Sequence, residues 1–461
     1  MEKKRSSFSG SIGFVLAAAG SAVGLGNIWR FPYLAAQGGG GLFLLIYIVL
    51  ALTFGFTLLM SEVAIGRKTK NSCLTAYKHM NKNWGWLGGL ASVVPFIILP
   101  YYCVIGGWVM KYAFSFIVGQ GVDAAGDNYF TGFITGNSEP IVYTVIFLLL
   151  TGFVVFRGVN KGIEAMSKVL MPILFVLIIG ISVYSLTING GEKYDNRTGI
   201  DGFMYYIIPN VDGMGIGDIL KVIMSAMGQL FYSISVAMGI MVTYGSYLKD
   251  KDNLVKSVNQ IEIFDTVVAF LAGIMIIPAV YVFQGIEGMS GGPGLMFIAM
   301  PKIFAQMGVA GRVLGIVFFL MVLFAALTSS ISLLEAVVSG MIDKGMKRKK
   351  ATIIESGIAI VIAVIVCLGY NLLYFEVKLP TSENPGQILD ILDYAANNIL
   401  MPVLAIGTCI LVGWITKPKA IIDEATKNGE KFFRRHLYTI MVKFIAPVLL
   451  FILLLGSFGV Y

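Results

Sequence analysis

The feature that most constrains this chain is a series of long apolar stretches that follow one another from its beginning to its end. A membrane-spanning helix needs about 20 mostly apolar residues. Only 13% of the residues are charged and 57% are apolar, too few charges to cover a water-soluble globule of 461 residues. The sequence therefore predicts an all-α integral membrane protein with eleven transmembrane helices. These predicted helices, called segments 1 to 11 below, are 12–37, 42–66, 86–117, 141–157, 165–187, 218–246, 258–284, 304–340, 351–372, 388–416 and 437–459.

The connections between the segments alternate in charge. Most of the 34 lysines and arginines lie in the N-terminus and in every second connection, including the run KGMKRKK at 344–350. The intervening connections carry acids such as Asp123 and Asp195. Because basic connections stay in the cytoplasm, we expect a cytoplasmic N-terminus and, after eleven crossings, a C-terminus outside. The net charge of +8 then reflects the orientation of the chain in the membrane. It does not indicate a nucleic-acid partner, and we expect none.

Segments 1 and 6 contain residues that an ordinary lipid-exposed helix does not favour. Segment 1 has glycines at 20, 24 and 26, followed by Asn27, Arg30 and Pro32, and segment 6 reads GQLFYSISVAMG over 228–239. Close helix packing accounts for Gly20 and Gly24 but not for the polar residues and the proline. Unwound backbone inside a membrane is tolerated where it lines a cavity. We therefore expect two interrupted helices, and their separation by five segments predicts a 5+5 inverted repeat.

Motifs along nearly the whole chain resemble those of the neurotransmitter:sodium symporter family, in its bacterial amino-acid branch with the LeuT-type fold. The most specific is GSAVGLGNIWRFPY over 20–33; others are Glu62, Tyr101-Tyr102, Gly228-Gln229, TYGSY at 243–247, LTSSIS at 327–332 and LDY at 392–394. The resemblance implies a single transporter domain over 1–461. Its inverted repeats would cover about 12–187 and 218–416, with the eleventh helix at about 437–459.

The function that the resemblance implies is sodium-coupled import of an amino acid by alternating access. The protein would lie in the inner membrane of a bacterium, surrounded by lipid. Two alternatives stay open: an amino-acid sensor that uses the same site without transport, and a symporter of a small amino acid. An intramembrane enzyme would need a catalytic histidine, a metal cluster or a Ser–Lys pair, which we do not find. The oligomeric state is not indicated.

Two sodium sites are implied by the resemblance. The first would use Ala22, Asn27, Ser233 and Asp265, and the second Gly20, Val23, Ala325, Thr328 and Ser329. Asp265 stands where much of the family has asparagine. Ala269 stands where chloride-dependent relatives have a serine that helps to hold the anion. Because Asp265 would supply a fixed negative charge, we expect transport without chloride.

The resemblance also implies a substrate site. Gly24 stands where monoamine-transporting relatives carry an aspartate, so we expect a zwitterionic α-amino acid whose own carboxylate completes the first sodium site. The predicted substrate-binding residues are Ala22, Leu25, Gly26, Ile98, Tyr102, Tyr232, Ser233, Ser235, Met238, Ser329 and Leu333. None is charged, which favours a hydrophobic or aromatic side chain. Ala237, where relatives often have glycine, and Pro100 favour the smaller substrate instead.

Gates are implied on both sides of this site. On the outside, Arg30 would pair with Asp393, and Tyr102 and Tyr232 would form a lid above the substrate. On the inside, Arg5 would pair with Asp343, supported by Tyr247, and Phe8 replaces the usual tryptophan. Gly162 and Pro172 match a family element of segment 5. Since proline has no N–H to donate, this helix is expected to unwind and let water reach the second sodium site.

Overall fold

The computed structural model describes residues 6–289, 291–380 and 385–460. These described residues contain nine long apolar helices. Each is long and apolar enough to span a membrane. They are Gly41–Thr69, Lys82–Ile117, Glu139–Phe156, Val159–Leu186, Leu254–Gln284, Gly308–Asp343, Arg348–Leu368, Ile388–Ile415 and Arg435–Ser457. They correspond to segments 2 to 5 and 7 to 11, so the chain is a mostly helical, multi-pass membrane protein.

Segment 1 is divided into two helices. Ser11–Ala22 ends where Val23 adopts an extended conformation, and Gly26–Gln37 follows at an angle of 55°. If this pair counts as one crossing, the described residues form up to ten spans. The break falls among the glycines that the sequence pointed to.

Segment 6 is divided as well. Its helices are Ile216–Ser233 and Ile240–Gly245, and the backbone between them takes positive φ angles at Ser235 (+53°), Ala237 (+56°) and Gly239 (+69°). L-residues other than glycine rarely adopt this left-handed conformation, so it stops the helix. Segment 6 therefore does not form one continuous apolar helix. The eleventh crossing and the inverted repeat stay predictions.

Short helices fill the connections: Cys73–Met80, Tyr129–Ile134, Gly199–Ile207, Leu295–Gln306 and Lys419–Ala425. Some ends differ from the sequence prediction. Segment 5 begins at Val159 rather than 165, and segment 9 ends at Leu368 rather than 372. Leu372 is apolar but exposed in the turn after the helix, and hydropathy cannot distinguish that turn from another helical residue.

The packing places both breaks in the interior. The helix Ser11–Ala22 lies against segments 5, 7 and 8, and segment 8 packs along segment 3. Segment 11 lies at the periphery of the helix bundle. It packs mainly on segment 10 and is the least buried of the long helices. Segments 1, 3, 6 and 8 thus surround a common centre.

Candidate functional site

A cavity lies where the two broken segments face each other. Its empty space is about 370 Å³, part of it open to the surroundings, and it is lined by fifteen residues. All eleven predicted substrate-binding residues are among them. The others are Ser21, Gly24, Asn27 and Ile240. Ala237 is buried but is not a lining residue, so its methyl group does not narrow the cavity.

The polar groups of this cavity come from both breaks and from segment 8. The hydroxyl of Ser235 donates to the carbonyl of Ser21 over 2.9 Å, and the hydroxyl of Ser329 donates to the same carbonyl over 3.1 Å. The buried hydroxyl of Tyr102 lies beside the hydroxyl of Ser329 and the backbone of Leu25, and within the described residues it forms no hydrogen bond of ordinary geometry. A buried hydroxyl is normally hydrogen-bonded, so the hydroxyls of Tyr102 and Ser329 and the backbone at Leu25 form one polar group in the lining of the cavity.

Asp265 is the centre of a buried polar cluster beside the cavity. Its Oδ1 accepts hydrogen bonds from Nδ2 of Asn27 at 2.8 Å and from Oγ of Ser233 at 2.7 Å. Its Oδ2 accepts one from the hydroxyl of Tyr47 at 3.3 Å. Three of the four residues predicted for the first sodium site are therefore in direct contact, and the fourth, Ala22, lines the adjoining cavity. Their ligating atoms are oxygens, the ligand type that hard cations prefer.

The residues predicted for the second sodium site also meet, between the first break and segment 8. Oγ1 of Thr328 donates to the carbonyl of Ala325 at 3.0 Å. Oγ of Ser329 is 3.5 Å from the carbonyl oxygen of Gly20. A Cβ on Gly20 would lie 3.3 Å from Cβ of Thr328. Val23 closes the first helix by donating its N–H to Ala19 at 2.7 Å. These residues present carbonyl and hydroxyl oxygens, which are suitable ligands for a hard monovalent cation.

Two further side chains form hydrogen bonds with backbone groups that lie at the breaks. Nε2 of Gln229 donates to the carbonyl of Gly26 at 3.0 Å, linking segment 6 to segment 1. Oε1 of Glu62 accepts the N–H of Ala237 at 2.6 Å. Glu62 and Gln229 stood out in the sequence only as parts of motifs, although polar residues inside apolar segments are a signal of function. Tyr47 lies in an uninterrupted apolar stretch and carried no such signal.

The predicted outer gate lies above the cavity. Tyr232 lines both the central cavity and a second, outer cavity that contains Arg30 and Asn397, so its ring stands between the two. The guanidinium of Arg30 lies 5.9 Å from the centre of that ring. Asp393 accepts a hydrogen bond from Nδ2 of Asn397 at 2.6 Å. In the described part of the chain no ion pair within 4.0 Å joins Arg30 to Asp393, so their pairing stays a prediction.

The predicted inner gate can be followed only in part, because Arg5 lies outside the described residues. Oδ2 of Asp343 accepts the N–H of Ser72 at 2.7 Å and the hydroxyls of Ser72 and Thr75 at 2.5 and 2.8 Å. This carboxylate therefore holds the start of the helix Cys73–Met80 against the end of segment 8.

Tyr247 connects the inner side to an ion pair that was not predicted from the sequence. Its hydroxyl donates to Oε1 of Glu335 at 2.5 Å, and Arg348 binds both oxygens of that carboxylate at 2.6 and 2.8 Å. The two partners lie in segment 8 and at the start of the helix Arg348–Leu368. Nothing in a hydropathy pattern indicates which charges will pair.

The start of the chain packs across this inner side. The ring of Phe8 contacts those of Tyr244 and Tyr247, with ring centres 5.7 and 6.0 Å apart. The N–H and hydroxyl of Ser9 both donate to the carboxylate of Glu164, which also pairs with Lys168 at 2.7 Å. Gly162 and Glu164 both lie in the π-helical stretch Val159–Glu164 at the start of segment 5, and Pro172 lies inside the helix Ala165–Leu186 that follows.

The sequence matches a known protein family over most of its length. The model of the family described as "Sodium:neurotransmitter symporter family" matches residues 5–123 and 135–461. The sodium-dependent transporter YhdH of Bacillus subtilis is 34% identical, over 100% of this chain and 99% of that protein. The sodium-dependent transporter MJ1319 of Methanocaldococcus jannaschii is 33% identical, over 93% and 85%. The sodium- and chloride-dependent taurine transporter of Rattus norvegicus is 25% identical, over 89% and 71%.

A solved structure has the same fold. The crystal structure of MhsT in complex with L-phenylalanine is similar with a TM-score of 0.85 and 33% sequence identity, over 98% of this chain and 100% of that one. The chain therefore belongs to the sodium:neurotransmitter symporter family, a family of sodium-coupled secondary transporters rather than enzymes.

Proposed function

We propose that this protein is a symporter that imports a zwitterionic, hydrophobic or aromatic amino acid together with sodium. The observation that carries the proposal is the cavity between the two breaks. Its lining offers backbone carbonyls, the hydroxyls of serines and of Tyr102, and the apolar side chains of Ile98, Met238 and Leu333. Such a lining suits a polar α-amino-acid head and an apolar side chain.

The carboxylate of the substrate has a defined place in this proposal. Leu25 and Gly26 lie at the start of the second half of segment 1, where N–H groups point away from the helix and attract negative charge. The hydroxyl of Tyr102 completes the set. The amine then lies toward the carbonyl of Ala22 and the break of segment 6. A charged substrate side chain would be left unpaired among the lining residues, at a cost of several kcal/mol.

Two sodium ions fit the oxygen ligands of the two predicted sites. Each ion that enters with a membrane potential of ~100 mV contributes about 2.3 kcal/mol. Two ions then contribute about 4.6 kcal/mol, enough for more than a thousandfold accumulation of a zwitterion at about 1.4 kcal/mol per decade. The carboxylate of Asp265 supplies a fixed negative charge, so we propose that transport does not require chloride.

Alternating access then requires segments 1, 2, 6 and 7 to move against the rest. In this proposal the two repeats, 12–187 and 218–416, form one domain with eleven crossings and a cytoplasmic N-terminus. Tyr232 and Arg30 close the outer side, and Phe8, Tyr247 and Asp343 close the inner side. Substrate preference for aromatic residues is supported by the L-phenylalanine in the structure of MhsT.

The test is uptake into proteoliposomes that contain the purified protein. We expect uptake of a labelled aromatic amino acid with a sodium gradient and none with potassium. Competition by each of the twenty amino acids ranks the substrates, and preferential competition by glycine or alanine would favour the small-substrate alternative. Sodium-dependent binding without uptake would favour a sensor. Equal uptake in sodium and potassium would contradict the proposal.

A further inference from the structure

Another cleft opens on the molecular surface, at the beginnings of segments 7 and 11 and beside Phe56 in the middle of segment 2, away from the central cavity. It has about 850 Å³ of empty space, part of it open to the surroundings. Its polar lining includes Lys256, Asn259, Gln260, Lys431 and Arg434. None of these residues has a part in the transport site described above.

Arg434 fixes the shape of this cleft. Its guanidinium pairs with Glu262 at 2.8 Å, donates to Asn259 at 2.5 Å and donates to the carbonyl of Leu52 at 2.9 Å. It also lies 3.5 Å above the ring of Phe56. Arg434 thus joins segments 2, 7 and 11, and its charge is neutralised by Glu262.

The two lysines of the cleft are different. Lys256 and Lys431 are exposed, and in the described ranges neither of them forms an ion pair. The nearby carboxylate of Glu430 instead accepts hydrogen bonds from Asn428 at 2.8 and 3.0 Å. Among the described residues, the cleft therefore carries two lysines that are not in an ion pair, beside the neutralised Arg434.

The level of the cleft coincides with the edge of the lipid-facing surface. Leu52, Ile263 and Ile440 are 48%, 58% and 51% exposed, as expected for side chains that face lipid. On the helices of Ile263 and Ile440, the exposed residues toward the cleft become polar or charged. Beside the cleft, Phe433 is 86% exposed. Aromatic and basic side chains are typical of the level of lipid headgroups.

We propose that this cleft binds the headgroup of an anionic glycerophospholipid. The phosphate contacts Lys256 and Lys431 and accepts hydrogen bonds from the amide of Gln260. The acyl chains lie along Leu52 and Ile263, and Phe433 inserts among the headgroups. Charge complementarity selects an anionic lipid, and the apolar surface directly adjacent to the cleft selects a lipid over a free anion.

The test uses the purified full-length protein and the double variant K256Q/K431Q, with K344Q/K350Q as a control of equal charge change on exposed lysines elsewhere. Native mass spectrometry measures bound phosphatidylglycerol against phosphatidylcholine. We expect the phosphatidylglycerol preference to fall about tenfold in the cleft variant and to change less than about twofold in the control. Equal preference in both variants and the unaltered protein would overturn the proposal.

Inorganic phosphate is the second arm. If the cleft binds lipid, millimolar phosphate leaves phosphatidylglycerol binding unchanged, and Phe433→Ser weakens it. If phosphate displaces the lipid and Phe433→Ser has no effect, the occupant is a free anion and the lipid proposal is wrong. Thermal denaturation of all variants in detergent checks that they are folded. The cleft residues have no part in the proposed transport site. Sodium-dependent uptake is therefore measured separately, so that failure of the lipid proposal can be distinguished from failure of the proposed function.

Discussion

The side-chain amide of Asn27 donates a hydrogen bond to the carboxylate of Asp265 over 2.8 Å, and both residues are fully buried. This bond joins the break of segment 1 to the middle of segment 7. Ser233, at the break of segment 6, donates to the same carboxylate oxygen. One acid therefore holds both interrupted helices, at the place where we propose the first sodium ion. We expect a change of its charge to weaken ion binding more than it lowers the stability of the fold.

The first prediction concerns the charge of Asp265. Asp265→Asn keeps a side-chain oxygen but removes the negative charge that faces the proposed ion. Because opposite charges attract strongly where water is excluded, we expect the apparent affinity for sodium to fall about tenfold or more. The measurement is the sodium dependence of uptake in proteoliposomes. The unaltered protein should transport equally well with chloride and with gluconate.

A second substitution makes this prediction sharper. In Asp265→Asn/Ala269→Ser a hydroxyl is added where chloride-dependent relatives hold the anion, and we expect chloride to restore part of the lost uptake. Ala269→Ser alone is the control and should stay independent of chloride. A strict chloride requirement of the unaltered protein would show that Asp265 does not replace the anion.

The second prediction concerns Gly24, which lines the central cavity. A methyl group at this position would lie 2.9 Å from Oγ of Ser329 and 3.3 Å from the hydroxyl of Tyr102. It would occupy the space that we assign to the substrate carboxylate. We therefore expect Gly24→Ala to raise the apparent KM for the amino acid about tenfold or more, with a small effect on thermal stability.

Gly180→Ala is the matched control, because a Cβ at Gly180 meets no other atom within 4 Å. The same methyl group is thus added to a helix at a site with open space around it. If both variants transport like the unaltered protein, Gly24 does not lie beside the substrate.

The cavity could be predicted from the sequence because glycines and a proline inside an apolar segment disfavour a continuous helix. The positions at which segment 6 turns could not be predicted, since Ser235 and Ala237 adopt positive φ angles that neither residue type favours. The hydrogen bond of Tyr47 to Asp265 could not be predicted either, because most tyrosines in apolar helices have only a packing role. Charge pairs between distant parts of the chain, such as Glu335 and Arg348, depend on packing that a single sequence does not contain.

The third prediction concerns a fully buried arginine and its ion pair. Nε of Arg67 donates to Oε1 of Glu424 at 2.7 Å, and its Nη1 donates to the carbonyl of Asp252 at 2.8 Å. Arg67→Met would leave the carboxylate buried without its partner, which costs about 3–5 kcal/mol of unfolding free energy. We expect a clearly lower midpoint of thermal denaturation in detergent. Lys68→Met removes an exposed neighbour and should have little effect; an equal shift in both variants would contradict the argument.

The last prediction concerns the contact between the N-terminal segment and segment 5. Ser9 donates its N–H and its hydroxyl to Glu164, in the π-helical stretch Val159–Glu164 that we expect to unwind during transport. Glu164→Gln replaces charge-assisted hydrogen bonds by weaker neutral ones, so the N-terminal segment should release more often and open the inner side. The measurement is the labelling rate of a reporter cysteine, Ser339→Cys. Ser339 is buried and, with Tyr247 and Asp343, lines a further cavity on the predicted inner side. The four native cysteines are buried, so their background is low.

We expect labelling to become about tenfold faster in Glu164→Gln. Lys161→Gln, an exposed change three residues away, is the control and should leave the rate unchanged. Gly13→Ala tests the same contact without removing a charge, because its added Cβ would clash with Oε1 of Glu164 and displace the carboxylate. Both Glu164→Gln and Gly13→Ala should therefore change the rate in the same direction. If neither does, the contact is structural only, and opening of the inner side depends on groups other than Glu164.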